Sequence, residues 1–128
     1  KNGRVYSTDI CVPISNITEC VNFAEEQAEK FGLRAPMVGH LGDGNFHVIL
    51  PYDPAKKEMY DKIREFNDLL IKKGLELNGT ITGEHGVGLH KKKYLLEQHA
   101  DNMPVMKSIK RTLDSNNIMN PGKIFDLN

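Results

Sequence analysis

Apolar residues recur every three or four positions in a stretch that begins soon after Pro13. Asn16 precedes this run and Glu19 follows three residues later, which predicts a helix over residues 16–31 whose start is stabilised by a capping box. Gly32 is suited to end the helix, because glycine adopts the left-handed conformation at helix C termini without strain. The apolar face of this helix consists of Ile17, Cys20, Val21, Ala24, Ala28 and Phe31.

The same spacing recurs over residues 54–77 and predicts a second, longer helix. Pro54 suits its first turn, because the N–H that proline lacks has no helical partner there. The dipeptide at residues 78–79, Asn-Gly, is expected to close it. Two further helices are predicted, a polar one over residues 90–99 and one that contains Met103, Met106, Ile109 and Leu113.

Short β-rich segments separate these helices. Residues 9–13 form the first, two more flank the turn at residues 42–45 (GDGN), and residues 80–82 (TIT) form the fourth. The order β-α-β-β-α-β is that of the ferredoxin-like fold, an α+β arrangement with helices on one face of an antiparallel sheet. The first and third strands are then central. The helix-free face is expected to be covered by another domain or by a second subunit in a homodimer.

Composition and charge narrow the functional classes. The chain has 128 residues, enough for one domain, and because it does not begin with methionine we expect it to be a fragment of a longer protein. Its 17 basic residues balance 17 acidic ones, so no field of one sign attracts nucleic acid. No apolar run is long enough for a transmembrane segment. Cys11 and Cys20 are expected to be buried free thiols, which fits a reducing compartment.

Two histidines flank the Asp-Gly dipeptide of the predicted hairpin. Asp-Gly favours a two-residue turn, because both positions of that turn need positive φ. With residues 43 and 44 as the turn, His40 pairs directly with His47, and their Cβ atoms lie about 4.5–5.5 Å apart on one face. Such a pair can chelate a divalent metal. The alternative is that both are ordinary polar residues of the sheet.

A further candidate ligand follows the fourth strand. Residues 83–88 (GEHGVG) place Glu84 and His85 among three glycines, which let a backbone bend sharply or approach a ligand closely, although a plain loop is the alternative. If this loop folds across the sheet, Glu84 completes a three-ligand site with an open position, as in catalytic zinc sites. Consecutive residues of an extended strand point to opposite faces, so we predict that Glu84 binds the metal and that His85 does not.

Three segments resemble the motifs of one protein family, the C-terminal domain of FAD-linked oxidases. They are residues 39–47 (GHLGDGNFH), 82–88 (TGEHGVG) and 120–123 (NPGK). The family includes D-lactate dehydrogenases, the glycolate oxidase flavoprotein subunit and D-2-hydroxyglutarate dehydrogenases. Residues 7–15 (STDICVPIS) are similar to the D-lactate dehydrogenase (cytochrome) branch. The resemblance extends from about residue 5 to residue 125.

The resemblance implies a domain organisation. Residues 1–128 would be the substrate- and metal-binding cap domain, and residues 101–128 would be a helix and tail that return toward an FAD-binding domain outside this chain. That N-terminal domain would bind most of the FAD, and Asn120 would contact the cofactor from the tail.

The resemblance also assigns roles at the candidate site. His40, His47 and Glu84 would bind zinc or manganese, which would hold the carboxylate and α-hydroxyl of the substrate. His85 would remove the hydroxyl proton as general base. This mechanism agrees with the three-ligand site inferred from the residues themselves.

The implied activity is the FAD-dependent oxidation of a D-2-hydroxy acid, D-lactate to pyruvate, by hydride transfer to the flavin. An electron acceptor such as cytochrome c or a quinone would reoxidise the flavin. The enzyme would act in the cytoplasm or in the mitochondrion of a eukaryote, with peripheral membrane association left open.

Ser7 and Ile49 stand where the hydroxyglutarate branch has polar partners for a second carboxylate, which favours a short monocarboxylate. The isolated chain is expected to be inactive. A metal-dependent hydrolase and a ferredoxin-like small-ligand or interaction module without catalysis are the alternatives.

Overall fold

The computed structural model describes residues 3–127. The chain divides between His85 and Gly86 into two compact units. The first unit holds an antiparallel sheet and two long helices, and the second holds two shorter helices and the C-terminal tail. In the described part of the chain, no helix has the length and apolar character needed to cross a lipid bilayer.

The sheet of the first unit is built around one central strand. β1 spans Arg4–Ser7, β2 spans Ile10–Cys11, β3 spans Met37–His40 and β4 spans Asn45–Tyr52. β4 pairs with β1 and β2 on one side and with β3 on the other, always antiparallel. The register of β1 against β4 continues unchanged into β2. β1 and β2 therefore act as one long strand that is interrupted at residues 8 and 9.

The order of the elements agrees with the α+β prediction, with a reduced strand at one edge. Cys11 forms an isolated antiparallel bridge with Thr80, so the strand predicted over residues 80–82 is a single bridge beside β2. The first and third segments of the βαββαβ pattern are central, as the ferredoxin-like order requires. β1 is a segment that the hydrophobic pattern did not predict.

Two helices cover one face of this sheet, α1 at Ile17–Phe31 and α2 at Lys57–Glu76. Side chains alternate between the two faces along β4, so His47 and its alternate neighbours point away from the apolar core. Removal of apolar surface from water is the main stabilising contribution to such a core. Fully buried members of the core include Ile10, Ala24, Phe46, Val48, Leu50, Ile63, Phe66 and Leu70.

The ends of the two helices lie near the predicted positions, but the predicted capping interactions do not all form. Gly32 ends α1 in the left-handed conformation, with φ +64°. The capping box between Asn16 and Glu19 is wrong, because the Asn16 side chain makes no cap and instead donates to the carbonyl of Leu77 at 2.9 Å. This bond ties the start of α1 to the end of α2. α2 begins at residue 57 rather than 54, because Asp53 accepts the N–H groups of Ala55 and Lys56 in a separate turn.

The second unit contains α3 (Lys92–His99) and α4 (Met103–Leu113). Both helices were predicted, although α3 begins two residues later than the polar helix expected over residues 90–99. Lys92 Nζ donates to the carbonyl of Gly122 at 3.1 Å and to the carboxylate of Asp126 at 2.7 Å. The C-terminal tail is therefore fastened to the start of α3.

The two cysteines are free thiols. Cys20 is fully buried in α1, and burial raises the pKa of its thiol to about 11. Cys11 is partly exposed, which differs from the prediction that both are buried. Burial, followed by the nearby charges of Asp9 and Asp43, raises the pKa of the Cys11 thiol.

Candidate functional site

The hairpin between β3 and β4 has a register that differs from the predicted one. His40 pairs with Asn45, and His47 pairs with Val38. The direct pairing of His40 with His47 is therefore wrong. The two histidines are offset by two residues along the ladder.

The longer loop follows from the backbone conformation of its residues. A two-residue type I′ turn needs positive φ at both Asp43 and Gly44, but in the described hairpin Gly44 alone adopts it, with φ +77°. Residues 41–43 form a 3-10 turn instead, which the N–H of Gly44 closes on the carbonyl of Leu41 at 3.1 Å. A shift of two residues preserves the face of a strand, so the two histidines still share one face as diagonal neighbours.

His47 is held at both of its ring nitrogens. The residue is 7% exposed, although it lies on the helix-free face. Its Nδ1 lies 2.9 Å from the carbonyl oxygen of Thr8, and its Nε2 lies 2.8 Å from Oε1 of Glu84. The loop after residue 82 therefore does fold across the sheet, and it brings together two of the three predicted ligands.

Asp9 is a site residue that the sequence patterns did not reveal. Its carboxylate lies at the break between β1 and β2 and is 2% exposed. It accepts the hydroxyl of Thr82 at 2.5 Å and the backbone N–H groups of residues 83–85 at 2.9, 3.1 and 3.0 Å. The available signal was an acidic residue inside a β-rich run, because a carboxylate is almost never buried without partners.

His85 lies against His47, as Glu84 does. The expectation that Glu84 and His85 point to opposite faces is therefore wrong, because residues 83–85 form bends and not an extended strand. The two imidazole rings are stacked, with centroids 4.7 Å apart and planes inclined by 9°, and His85 is exposed. One potential metal-ligand atom each of Asp9, His47 and His85 lies within 4.8 Å of the others. The Asp9 oxygens, however, already accept four hydrogen bonds from the loop. Asp9 is therefore better placed to organise this loop than to bind an ion.

Gly83 allows the loop to approach the hairpin. A Cβ atom on this glycine would lie 2.5 Å from Cγ of Asn45, well inside van der Waals contact. Asn45 is 6% exposed, and its Oδ1 has no hydrogen-bond partner among the described residues. Only a residue without a side chain fits between this buried amide and the loop.

The donors at this site suit a divalent metal ion. Imidazole nitrogen and carboxylate oxygen are common ligands of zinc, and carboxylate also suits manganese. Two ligand atoms on one zinc ion lie roughly 3–3.5 Å apart, close to the 2.8 Å between the Glu84 oxygen and the His47 nitrogen. His40 is exposed at the end of β3, on the face that His47 shares. The fold therefore brings Glu84 to His47, whereas His40 does not belong to a cluster of three potential ligands in the described part of the chain.

Asn120 lies in the second unit. It is exposed, its φ is +48°, and its carbonyl accepts the N–H of Lys123 at 3.2 Å. Residues 120–123 thus form a turn. Contact of Asn120 with a flavin stays a prediction.

The chain matches the model of one protein family over residues 1–124, described as "FAD linked oxidases, C-terminal domain". The chain belongs to this family. The resemblance inferred from its motifs is thereby confirmed, and the mixed fold with an antiparallel sheet agrees with it.

Two relatives of this FAD-linked oxidase domain are named D-lactate dehydrogenases. The chain is 38% identical over 125 residues to "Probable D-lactate dehydrogenase, mitochondrial" of Danio rerio, which covers 97% of this chain and 25% of that protein. It is 41% identical over 119 residues to "D-lactate dehydrogenase (cytochrome), mitochondrial" of Arabidopsis thaliana, which covers 92% of this chain and 21% of that protein. The chain thus spans a quarter or less of the length of these relatives.

A solved structure shares the fold. The 4-ethylphenol oxidase from Gulosibacter chungangensis, in its isoeugenol complex, matches with a TM-score of 0.66 and 20% identity. The match covers 97% of this chain and 25% of the oxidase chain. This FAD-linked oxidase domain therefore has a close structural counterpart within a longer protein.

Proposed function

We propose that this chain is the substrate- and metal-binding part of an FAD-dependent D-2-hydroxy-acid dehydrogenase that oxidises D-lactate to pyruvate. The observation that carries the proposal is the contact between His47 Nε2 and Glu84 Oε1, 2.8 Å apart, in a member of the FAD-linked oxidase family. The names of the two relatives support D-lactate as the substrate. A flavin held mainly by a domain outside this chain would accept the hydride.

His40, His47 and Glu84 are proposed to bind zinc or manganese. A divalent ion held there supplies Lewis acidity, which makes the substrate hydroxyl easier to deprotonate. His47 is already held by the carbonyl of Thr8, and the backbone of Glu84 is held by Asp9. Two of the three proposed ligands therefore need little further ordering, whereas His40 is exposed and lies outside the cluster of potential ligands around His47 in the described residues.

His85 is proposed to accept the proton of the substrate hydroxyl. Its exposed ring stacks on His47, so it lies beside one of the two ligands and is accessible from solvent. Its backbone N–H donates to Asp9 at 3.0 Å, which fixes the point from which the ring projects. Imidazole is the side chain best suited to proton exchange near neutral pH.

Ser7 and Ile49 favour a short monocarboxylate as the substrate. They are direct partners across the sheet, and Ile49 lies on the same face as His47, two residues further along β4. Neither side chain carries a charge that pairs with a second carboxylate. A dicarboxylate held here would leave that group desolvated without a partner, which is costly.

The remaining partners are proposed from the family. Residues 101–128 would return toward the flavin domain, where Asn120 would contact FAD. The helix-free face of the sheet, which exposes Val5 and Val38, would be covered by the flavin domain or by a second subunit. Cytochrome c or a quinone would accept the electrons, and the names of the two relatives are in keeping with a mitochondrial location.

The test is flavin reduction by D-lactate in the complete enzyme that contains this chain. We expect rapid bleaching of the flavin with D-lactate and slow bleaching with D-2-hydroxyglutarate. A strong chelator should abolish the reaction, and added zinc or manganese should restore it. Equal rates with both acids would contradict the substrate assignment. Full activity in the metal-stripped enzyme would contradict the metal site.

A further inference from the structure

We infer that Thr8 and Asp9 are positioning residues that prepare His47 and Glu84 to bind a divalent cation. The inference rests on the proposed function, because it deepens the account of the same site. It concerns the interruption between β1 and β2, where the side chains of two buried polar residues replace regular sheet contacts.

In Thr8 the side-chain hydroxyl, and not the backbone carbonyl, accepts the hydrogen bond from the neighbouring strand. The continuous register places Thr8 opposite Val48, and the N–H of Thr8 donates to the carbonyl of Val48 at 3.1 Å. Residues paired in this way normally exchange two hydrogen bonds, the second from the N–H of Val48 to the carbonyl of Thr8. Here the N–H of Val48 donates to the Thr8 hydroxyl instead, at 2.8 Å. The Thr8 carbonyl is thereby released from the ladder.

The released carbonyl accepts a hydrogen bond from Nδ1 of His47 at 2.9 Å. A carbonyl oxygen can only accept, so Nδ1 carries the proton. The neutral ring then has its lone pair on Nε2, the nitrogen that lies 2.8 Å from the Glu84 carboxylate. In the metal-free chain a proton between Nε2 and the carboxylate satisfies both groups, and a divalent cation bound by the two ligands would take the place of that proton. Thr8 therefore selects the tautomer of His47 that metal binding through Nε2 requires.

Asp9 acts in the same way on Glu84. Its buried carboxylate accepts hydrogen bonds from three consecutive backbone N–H groups, those of residues 83–85. The path of the loop is therefore fixed, and the Glu84 side chain leaves it toward His47. Oδ1 of Asp9 also lies 3.8 Å from Nδ1 of His47, so the imidazole ring lies between the carboxylates of Asp9 and Glu84.

The tautomer of His47 can be measured directly, without enzymatic activity. Nitrogen-15 NMR of the chain in the presence of zinc should show a protonated Nδ1 and an unprotonated Nε2. Thr8→Val removes the hydroxyl, so the N–H of Val48 regains the carbonyl of residue 8 and the His47 tautomer should shift toward protonated Nε2. Thr8→Ser keeps the hydroxyl and should keep the original tautomer.

Zinc affinity, measured by calorimetry on the same chains, links the tautomer to the site. Thr8→Val and Asp9→Asn should each raise the dissociation constant by roughly 10–100-fold, the usual effect of losing a partner of a metal ligand. Thr8→Ser should stay near the unmodified chain. Asp101→Asn is the matched control, because Asp101 is exposed and lies in the second unit.

The outcomes separate this inference from the proposed function. An unchanged tautomer in folded Thr8→Val, or a His47 ring protonated at both nitrogens in the presence of zinc, overturns the inference even if zinc binds. If the unmodified chain binds neither zinc nor manganese, the proposed metal site is overturned. The hydrogen-bond assignment still stands in that case, provided that the His47 tautomer changes when the Thr8 hydroxyl is removed. If circular dichroism shows that Thr8→Val is unfolded, Thr8→Ala removes the same hydroxyl without a branched side chain and decides the question.

Discussion

Nε2 of His47 lies 2.8 Å from Oε1 of Glu84, although 37 residues separate them in the chain. The His47 side chain is 8% exposed and that of Glu84 is 49% exposed. The pair therefore combines a protected imidazole with a carboxylate that faces solvent, so an ion bound as proposed would approach from the Glu84 side.

Removal of the two histidines tests the ligand assignment. We expect the His40→Ala, His47→Ala double variant to bind zinc at least about 100-fold more weakly than the unmodified chain, beyond the usual 10–100-fold effect of losing an outer partner. Isothermal calorimetry with zinc and with manganese measures this. His90→Ala is the control, because His90 is also exposed but lies in the second unit. Equal binding by the double variant and the control would refute the assignment.

Glu84 and His85 should differ in what their loss removes. In the complete enzyme, His85→Ala should retain its metal but reduce the flavin ~10²–10⁴-fold more slowly, because it loses the proton acceptor. Glu84→Ala should lose metal and activity together, with partial rescue by excess metal. Metal content and the rate of flavin reduction by D-lactate are measured on the same preparations. If His85→Ala is metal-free while Glu84→Ala stays loaded, the two roles are reversed.

Gly83→Ala should destabilise the first unit. The new methyl group would lie 2.5 Å from the buried side chain of Asn45, and overpacking of this kind costs about 1–3 kcal/mol. Gly42→Ala is the control, because its added Cβ would meet no atom within 4 Å, and we expect a change within about 0.5 kcal/mol. Urea unfolding followed by circular dichroism gives both values. Equal stability of the two variants would show that Asn45 moves aside freely.

The two thiols should react at different rates. Burial raises the pKa of Cys20 to about 11, so its thiolate is scarce at neutral pH, and the side chain is inaccessible. Cys11 also has a raised pKa but is partly exposed, so it should be alkylated first, although more slowly than free cysteine. Mass spectrometry after timed alkylation distinguishes the two sites. Earlier labelling of Cys20 would mean that α1 opens readily.

The raised pKa of Cys20 also predicts how stability changes in alkali. Folding favours the neutral thiol, so this contribution is complete below the ordinary cysteine pKa of ~8.5 and is lost as the pH rises through about 11. The difference in unfolding free energy between the unmodified chain and Cys20→Ala should therefore shrink over that range. Denaturant titrations from neutral pH to about pH 11 measure it. A constant difference would contradict the prediction.

The helices could be predicted from the sequence because many residues contribute to a periodic pattern. Gly32 ends α1 as expected, and the apolar face of α1 supplies Cys20, Ala24 and Ala28 to the core. Single contacts are less predictable. Asn16 bonds to Leu77, 61 residues away, rather than capping its own helix, because a tertiary partner competes with a local one of similar strength.

The approach of Glu84 to His47 could be predicted from the sequence, whereas the register of the hairpin could not. Asp43-Gly44 favours a two-residue turn, yet Gly44 alone of the two adopts positive φ, and the pairing of His40 moves by two residues. Both histidines still lie on one face of the sheet, because side chains alternate along a strand and a shift of two residues preserves the face. No local sequence pattern indicates the role of Asp9, because its hydrogen-bond partners lie 73 to 76 residues away in the chain.

If the site binds an ion as proposed, the interruption of the first strand also couples ion binding to folding. Asp9 acts on Glu84 across 75 residues, and Glu84 reaches His47 across 37, so an unfolded chain has no preformed site. An ion that binds only the native chain stabilises it by about 2.7 kcal/mol when its free concentration is 100 times the dissociation constant. The melting temperature of this chain should therefore rise with the concentration of the ion, and the folded and the loaded populations would increase together.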